Sequence, residues 1–218
     1  DHPVSSSGGS ATETPPPRQA PAVESSAENG LSNTEQSDWR LTLVNGENAI
    51  PQDYEIDLVE VPGGQKVDGR IYEPLMEMLE AAKAGNREQA PKVVSGYRTQ
   101  EKQRSLYDDK IAKYEKQGYA TAEAKRMAEQ WVAVPEYSEH QLGLAVDING
   151  ATYDLYLWLQ DNSYKYGFIF RYPGNKTELT GVAEEVWHYR YVGVEAATQM
   201  YEQDLCLEEY LEQKRASA

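Results

Sequence analysis

The run Ser138-Glu139-His140-Gln141-Leu142-Gly143-Leu144-Ala145-Val146-Asp147-Ile148 begins as a polar loop and ends as a strand. Leu144 to Ile148 is an apolar stretch of strand length broken only by Asp147, and Gly143 supplies the turn that leads into it. Upstream, Lys92-Val93-Val94-Ser95 is a second brief apolar strand, running into Gly96. Downstream, Phe168-Ile169-Phe170 and the span from Trp187 to Val192 are two more. Helical spacing fills the gaps. It runs from Ile71 to Ala82 with a stop near Gly85, from close to Thr99 past Tyr107, from about Thr121 to Trp131, and from Tyr153 to about Gln160. In the second of these, Gln103, Leu106, Tyr107 and Lys110 fall three or four apart, and Gly118 ends the pattern. One closing helix is expected from Glu195 to about Gln213. Near the start of the globular part, Trp39 to Val44 reads as a short strand closed by Asn45-Gly46. The alternation from Tyr54 to Val61 reads as a half-buried strand ending at Pro62-Gly63-Gly64. Strands and helices mix without regular βαβ alternation, so the expected class is α+β, an antiparallel sheet with flanking helices.

The 218 residues suffice for one domain with a core. Residues 1–38 are rich in Ser, Pro, Ala, Glu and Gly and carry almost no large apolar side chain, which predicts a disordered linker ahead of a domain spanning 39–218. Such a tether fits a protein held near a membrane or wall by an anchor upstream of Asp1, and an ordinary loose terminus fits it equally. With 36 acidic against 21 basic residues, a net charge of -15, the chain is a poor candidate for gripping nucleic acid or anionic lipid. No run reaches the ~18 apolar residues of a membrane span, so no stable insertion is expected. Cys206 is the one cysteine, which excludes an internal disulfide and a cysteine-built zinc finger; its surroundings suggest a half-buried helix position.

Histidine is scarce. His2 lies in the polar tail, while His140 and His188 each sit in a dense polar and aromatic cluster, the second being Glu185-Val186-Trp187-His188-Tyr189-Arg190-Tyr191. A hydrolytic zinc site needs three protein ligands, usually imidazoles and a carboxylate, with a position open to water. His140 and Asp147, seven apart across Gly143, can bring a loop residue and a strand residue to one metal, and His188 can complete the set. Amide hydrolysis also needs a carboxylate base, and Glu185 lies three before His188. Residues three apart on a strand face opposite ways, so Glu185 serves only if it sits in the turn ahead of the strand. Two plainer readings remain open on spacing alone. The histidines can be satisfied core residues, and Asp147 a buried carboxylate bonded by backbone N–H groups. A serine triad from Ser95 or Ser138 with His140 and Asp147 lacks the G-x-S-x-G elbow.

Taken in order, the motifs are more specific. Ser95-Gly96-Tyr97-Arg98-Thr99 followed by Gln103 and Leu106-Tyr107, then the Ser138–Asp147 run, then Glu185-Val186-Trp187-His188-Tyr189-Arg190-Tyr191-Val192-Gly193 resemble the VanY-type zinc carboxypeptidases and the similar DacB type. The resemblance covers about Trp39 to the C-terminus. It implies one zinc held by His140, Asp147 and His188, with Glu185 as general base and acid. Arg98 is then the oxyanion stabiliser or the clamp for a substrate carboxylate, with Ser138 and Gln103 as further substrate contacts. It also implies hydrolysis of peptidoglycan stem peptides at a terminal D-alanine, by D,D- or L,D-cleavage, in the bacterial envelope outside the cytoplasm. The alternatives are a non-catalytic wall-binding or signalling module on the same zinc fold, which need not keep Glu185 or Arg98, and a muropeptide endopeptidase. Two departures stand out: Val186 where many relatives have Pro or Asp, and Pro135-Glu136-Tyr137 where a Pro-Gly pair often precedes the serine, which predicts an altered loop beside the pocket. The segment from Asp108 to Pro135 is expected to wall the cleft.

Overall fold

The computed structural model describes residues 38–85 and 90–218. All of the expected linker except Asp38 therefore lies outside the described residues. The elements are β1 (Leu58–Glu60), β2 (Lys66–Asp68), α1 (Tyr72–Gly85), β3 (Lys92–Ser95), α2 (Gln100–Lys116), α3 (Thr121–Ala128), β4 (Ala145–Asn149), α4 (Asp154–Asn162), β5 (Phe168–Phe170), α5 (Thr177–Thr180), β6 (His188–Tyr191), α6 (Val194–Gln203) and α7 (Leu207–Ala216). The class is α+β, as the mixed pattern predicts. β1 and β2 form a small hairpin, and the main sheet is antiparallel in the order β3-β4-β6-β5.

Strand alternation divides that sheet into an apolar and a chemical face. Val146 and Ile148 of β4 and Tyr189 of β6 enter the main core with Leu75, Met78 and Ala82 of α1 and Leu155 and Leu159 of α4. Asp147, His188 and Arg190, each out of phase with these, belong to the other face. Val93 also enters the core, so Ser95, two residues on, should share its face. A bulge between Val93 and Ser95 shifts the register and sets Ser95 opposite Asp147 instead. α2 and α3 pack as a pair around Tyr107, Ile111, Ala124 and Ala128. α2 is capped by the Thr99 hydroxyl, which accepts from the Lys102 amide.

Three expectations need correction. Trp39 to Val44 is not a strand: Trp39–Leu41 is a short 3-10 turn whose Arg40 amide donates to the capping Asp38 carboxylate. The carbonyls of Arg40 and Thr42 accept instead from the buried Arg190 guanidinium, at 2.9 and 2.8 Å, so they join no ladder. The Tyr54–Val61 stretch alternates in burial as expected, but only Leu58–Glu60 pairs, because its partner β2 is equally short. The closing helix is two helices. No apolar residue is available in Glu202-Gln203-Asp204 to continue the buried stripe of Ala196, Ala197 and Met200, and Asp204 ends α6 in the left-handed region at φ 53°. Cys206 then starts α7 in a capping box with Glu209 and is buried there, more deeply than expected.

Candidate metal centre

The antiparallel pairing of β4 with β6 sets Asp147 directly opposite His188. Such partners share a face and approach closely, so register alone brings the two side chains together. His140 arrives from the short 3-10 turn Glu139–Leu142 before β4. That turn closes at Gly143, which takes φ 74°; a side chain there would press on the Asp68 amide, 3.1 Å from the position of a Cβ. The three ligand-type atoms of His140, Asp147 and His188 all lie within 4.8 Å of one another.

Hydrogen bonding fixes which atoms converge. His140 Nδ1 is bonded to the Gly96 carbonyl at 2.8 Å, which leaves Nε2 facing Asp147 Oδ1 at 3.2 Å. Gly96 must be glycine for this, since a Cβ would run into the Lys66 carbonyl. His188 Nδ1 lies 3.0 Å from the same Asp147 oxygen, while its Nε2 is bonded to Glu139 Oε1 at 3.0 Å. Ligands at 2.0–2.2 Å from a tetrahedral zinc stand about 3.4 Å apart, so the spacing suits the ion. Each imidazole also has its far nitrogen held by an oxygen acceptor, the usual arrangement behind zinc-ligating histidines. Burial pushes His140 below its ordinary pKa and so favours the neutral ring that a ligand must present. His188, although burial opposes it, is pushed up to about 9 by its bonds to Asp147 and Glu139, a proton that a metal would displace. Although burial opposes it, Asp147 is held well below the carboxylate range by His140 and His188. The donor set fits zinc.

Glu185 occupies the turn before β6, as the spacing argument requires; the His188 amide donates back to its carbonyl at 3.3 Å. Its carboxylate Oε2 stands 3.8 Å from His188 Nδ1. Burial pushes its pKa up to about 7 against the opposing pull of His188. A carboxyl poised near neutrality beside a metal triad can take a proton and return it.

Arg98 is not a loose surface arginine. Its Nε donates to Ser95 Oγ at 3.0 Å, one terminal nitrogen to Gln103 Oε1 at 3.3 Å, and the other to Asp147 Oδ2 at 3.2 Å. Its amide donates to the His140 carbonyl, tying it to the metal loop. Three of the five guanidinium N–H donors are thereby engaged, and two remain for an anion.

A cavity of about 790 Å³ opens onto Arg98, Ser138, His140, Asp147, Glu185 and His188 together. Ser138 is on its wall, although the Ser138 hydroxyl already caps the His140 amide at 3.3 Å. Gln103 is not among the residues that line it. Fully buried, it bridges Arg98 and the Ala133 carbonyl, so in this structure it holds the arginine. Tyr114 of α2 and the non-helical stretch Trp131 to Val134 line the cavity from the segment expected to wall it, beside Leu106; α3 ends at Ala128, short of the expected Trp131. Glu136 stands in a left-handed turn, at φ 82°, pinned by bonds from its amide to Gln141 and from the Ile50 amide to its carbonyl. For a residue with a side chain this costs about 1 kcal/mol.

Sequence reasoning missed Glu139. Wholly buried, it accepts from Arg171 Nε and from Arg190, both at 2.8 Å, as well as facing His188. Arg171 is itself paired with both oxygens of Glu208 on α7 at 2.7 Å. This chain of charges holds the His188 ring with Nδ1 toward Asp147. The only hint in the sequence is that Glu139 adjoins His140; its partners lie 32 to 51 residues away. Glu139→Gln is expected to weaken zinc binding by roughly 10–100-fold, read by competition against a chromophoric chelator on protein shown to be folded by circular dichroism. Unchanged affinity would mean that packing against Tyr172, whose ring lies 4.7 Å from that of His188, orients the ligand without the acid.

An α+β domain with a buried His-Asp-His triad beside a desolvated glutamate, all lining one cavity, defines a mononuclear zinc peptidase. Residues 64–194 match the VanY family model, described as D-alanyl-D-alanine carboxypeptidase, and the chain belongs to that family. A D-alanyl-D-alanine carboxypeptidase of Enterococcus faecalis is 52% identical over 182 residues, which make up 81% of this chain and 67% of that protein. Two solved structures are similar at 53% identity over 80% of this chain. One is a mutant of the vancomycin resistance D,D-pentapeptidase VanY from a VanB-type cassette with Zn(II), at TM-score 0.76 over 99% of its chain. The other is VanYB with D-alanine-D-alanine, at TM-score 0.77 over 98% of its chain. The protein is a zinc metallocarboxypeptidase.

Proposed function

We propose that this protein removes the C-terminal D-alanine from peptidoglycan stem peptides, outside the cytoplasm, in the bacterial envelope. The observation that carries the reading is Glu185: a desolvated carboxylate in the turn before β6, 3.8 Å from a metal-ligand histidine and open to the cavity. A binding module has no use for it.

His140 through Nε2, Asp147 through Oδ1 and His188 through Nδ1 would hold the zinc. When bound, the ion acidifies water and polarises the scissile carbonyl. Glu185 takes the proton from the attacking water and delivers it to the leaving D-alanine amine. Arg98 uses its two remaining donors on an anion, either the substrate's terminal carboxylate or the oxygen that gains charge as the carbonyl is attacked. Ser138 adds a hydroxyl beside it, and Gln103 acts at one remove by holding Arg98. Two relatives support the substrate class, one named a D,D-pentapeptidase and one solved with D-alanine-D-alanine. Among the described residues no helix is long and apolar enough to cross a membrane.

Incubation with pentapeptide and tetrapeptide stems, read by mass spectrometry, tests this. Loss of a single terminal alanine from the pentapeptide, abolished by chelation and restored by zinc, is the expected result. Products cut inside the stem would make the protein an endopeptidase, and zinc-loaded protein that binds the stem without cleaving it would make it a recognition module.

A further inference from the structure

The cavity is larger than a terminal dipeptide requires, and one wall carries chemistry that the reaction does not use. Gln103, Leu106, Lys110 and Tyr114 follow one another at intervals of three, four and four residues, so they form a single stripe on α2. The stripe begins at the residue that grips Arg98, and Leu106, Lys110 and Tyr114 line the cavity. Seven residues separate Gln103 from Lys110, which at the helical rise is about 10 Å. An extended peptide covers that distance in about three residues.

At that point Lys110 Nζ stands 5.7 Å from the ring centroid of Tyr114 and 5.8 Å from that of Trp131, within range of a cation–π contact with each. Trp131, on the same cavity, is 40% exposed. Although acids outnumber bases 36 to 21, among the described residues no carboxylate pairs with Lys110. Burial, and then the neighbouring Lys113, lower its pKa, and no acid acts to raise it. The cavity thus has two cations on its wall: Arg98 at the metal end, already bonded within the protein, and Lys110 on α2, beside two rings and in no ion pair, while Glu129 on the same wall is bonded to the Tyr107 hydroxyl.

Resting on the carboxypeptidase reading, we propose that Lys110, Tyr114 and Trp131 form a second anion-reading position in the cleft, which takes a carboxylate carried about three residues ahead of the C-terminal alanine. In a pentapeptide stem that group is the free α-carboxylate of the γ-linked D-glutamate. The subsite would therefore distinguish stems whose glutamate is a free acid from those in which it is amidated. It lies away from the reacting bond, so its effect belongs in KM more than in kcat.

Two matched pentapeptides, alike except that the glutamate α-carboxyl is free in one and amidated in the other, provide the test, with D-alanine release as the readout. Wild type is expected to favour the free acid by about three- to tenfold in kcat/KM, the range of a partly exposed charge pair. In Lys110→Met, which keeps the aliphatic stem, the ratio should fall to near one, and Lys110→Gln serves if the first variant does not fold. Equal rates on the two peptides in wild type, or a preference that survives in the lysine variants, would overturn the subsite while leaving the carboxypeptidase intact. Release from neither peptide would overturn both.

Discussion

Glu185→Gln is expected to lower kcat by at least about a hundredfold while zinc stays bound and the fold is intact. Glutamine keeps the shape of the side chain and cannot take a proton. The three ligand atoms belong to other residues, so the metal has no reason to leave. The size of the effect follows from where the carboxylate sits. Burial raises its pKa against the pull of His188, which suits a carboxyl that must both take a proton and return it. Metal analysis together with steady-state rates on a pentapeptide stem checks this. Activity within about tenfold of wild type would remove Glu185 from the chemistry, and zinc loss in the variant would make it a ligand instead.

A stem peptide amidated at its C-terminus is expected to be cut roughly ten- to a thousandfold more slowly than the free acid, a loss of about 1.4–4 kcal/mol of transition-state binding. Arg98 is the reason. Its guanidinium is anchored at Ser95, Gln103 and Asp147, so its remaining donors are already aimed, and a carboxylate meets them as a charge-assisted pair. In Arg98→Ala the discrimination between the two substrates should collapse. Arg98→Lys should not recover it, because an ammonium cannot make three anchoring bonds and also present a fork. Equal wild-type rates on acid and amide would remove the carboxylate clamp and favour cleavage within the stem. Discrimination that persists in Arg98→Ala would place the clamp on another residue and leave Arg98 with the oxyanion alone.

The parts of this molecule that were legible in the sequence are those whose signal is local. The apolar strands around Val93, Val146, Ile169 and Tyr189 and the helices from Tyr72, Gln100, Thr121 and Asp154 follow from side-chain period and from glycine stops. So does the condition on Glu185, since a base three residues before a strand ligand must sit in a turn. The segments that were misread lack such self-contained cues. Trp39 to Val44 has strand-like residues, but its carbonyls are claimed by Arg190, about 150 residues on. The closing helix has helical propensity throughout and is broken because the buried stripe lapses at Glu202 to Asp204.

From the sequence alone came the inventory of the site: two clustered histidines, an aspartate seven residues after the first, a glutamate three before the second, and an arginine ahead of a helix. Their meeting is a matter of register. A shift of one residue between β4 and β6 would turn His188 to the opposite face from Asp147 and take Tyr189 out of the core, so the alternation sets the face while only the sheet pairs these two particular residues. The bulge that re-aims Ser95 is equally unwritten in Lys92-Val93-Val94-Ser95. Only the folded molecule shows Gln103 holding Arg98, and only there do Arg171 and Arg190 enclose Glu139 behind the metal ligand. Buried charges are tolerated only when paired, and here most of the pairing runs between segments far apart in the chain, so it belongs to the tertiary structure alone.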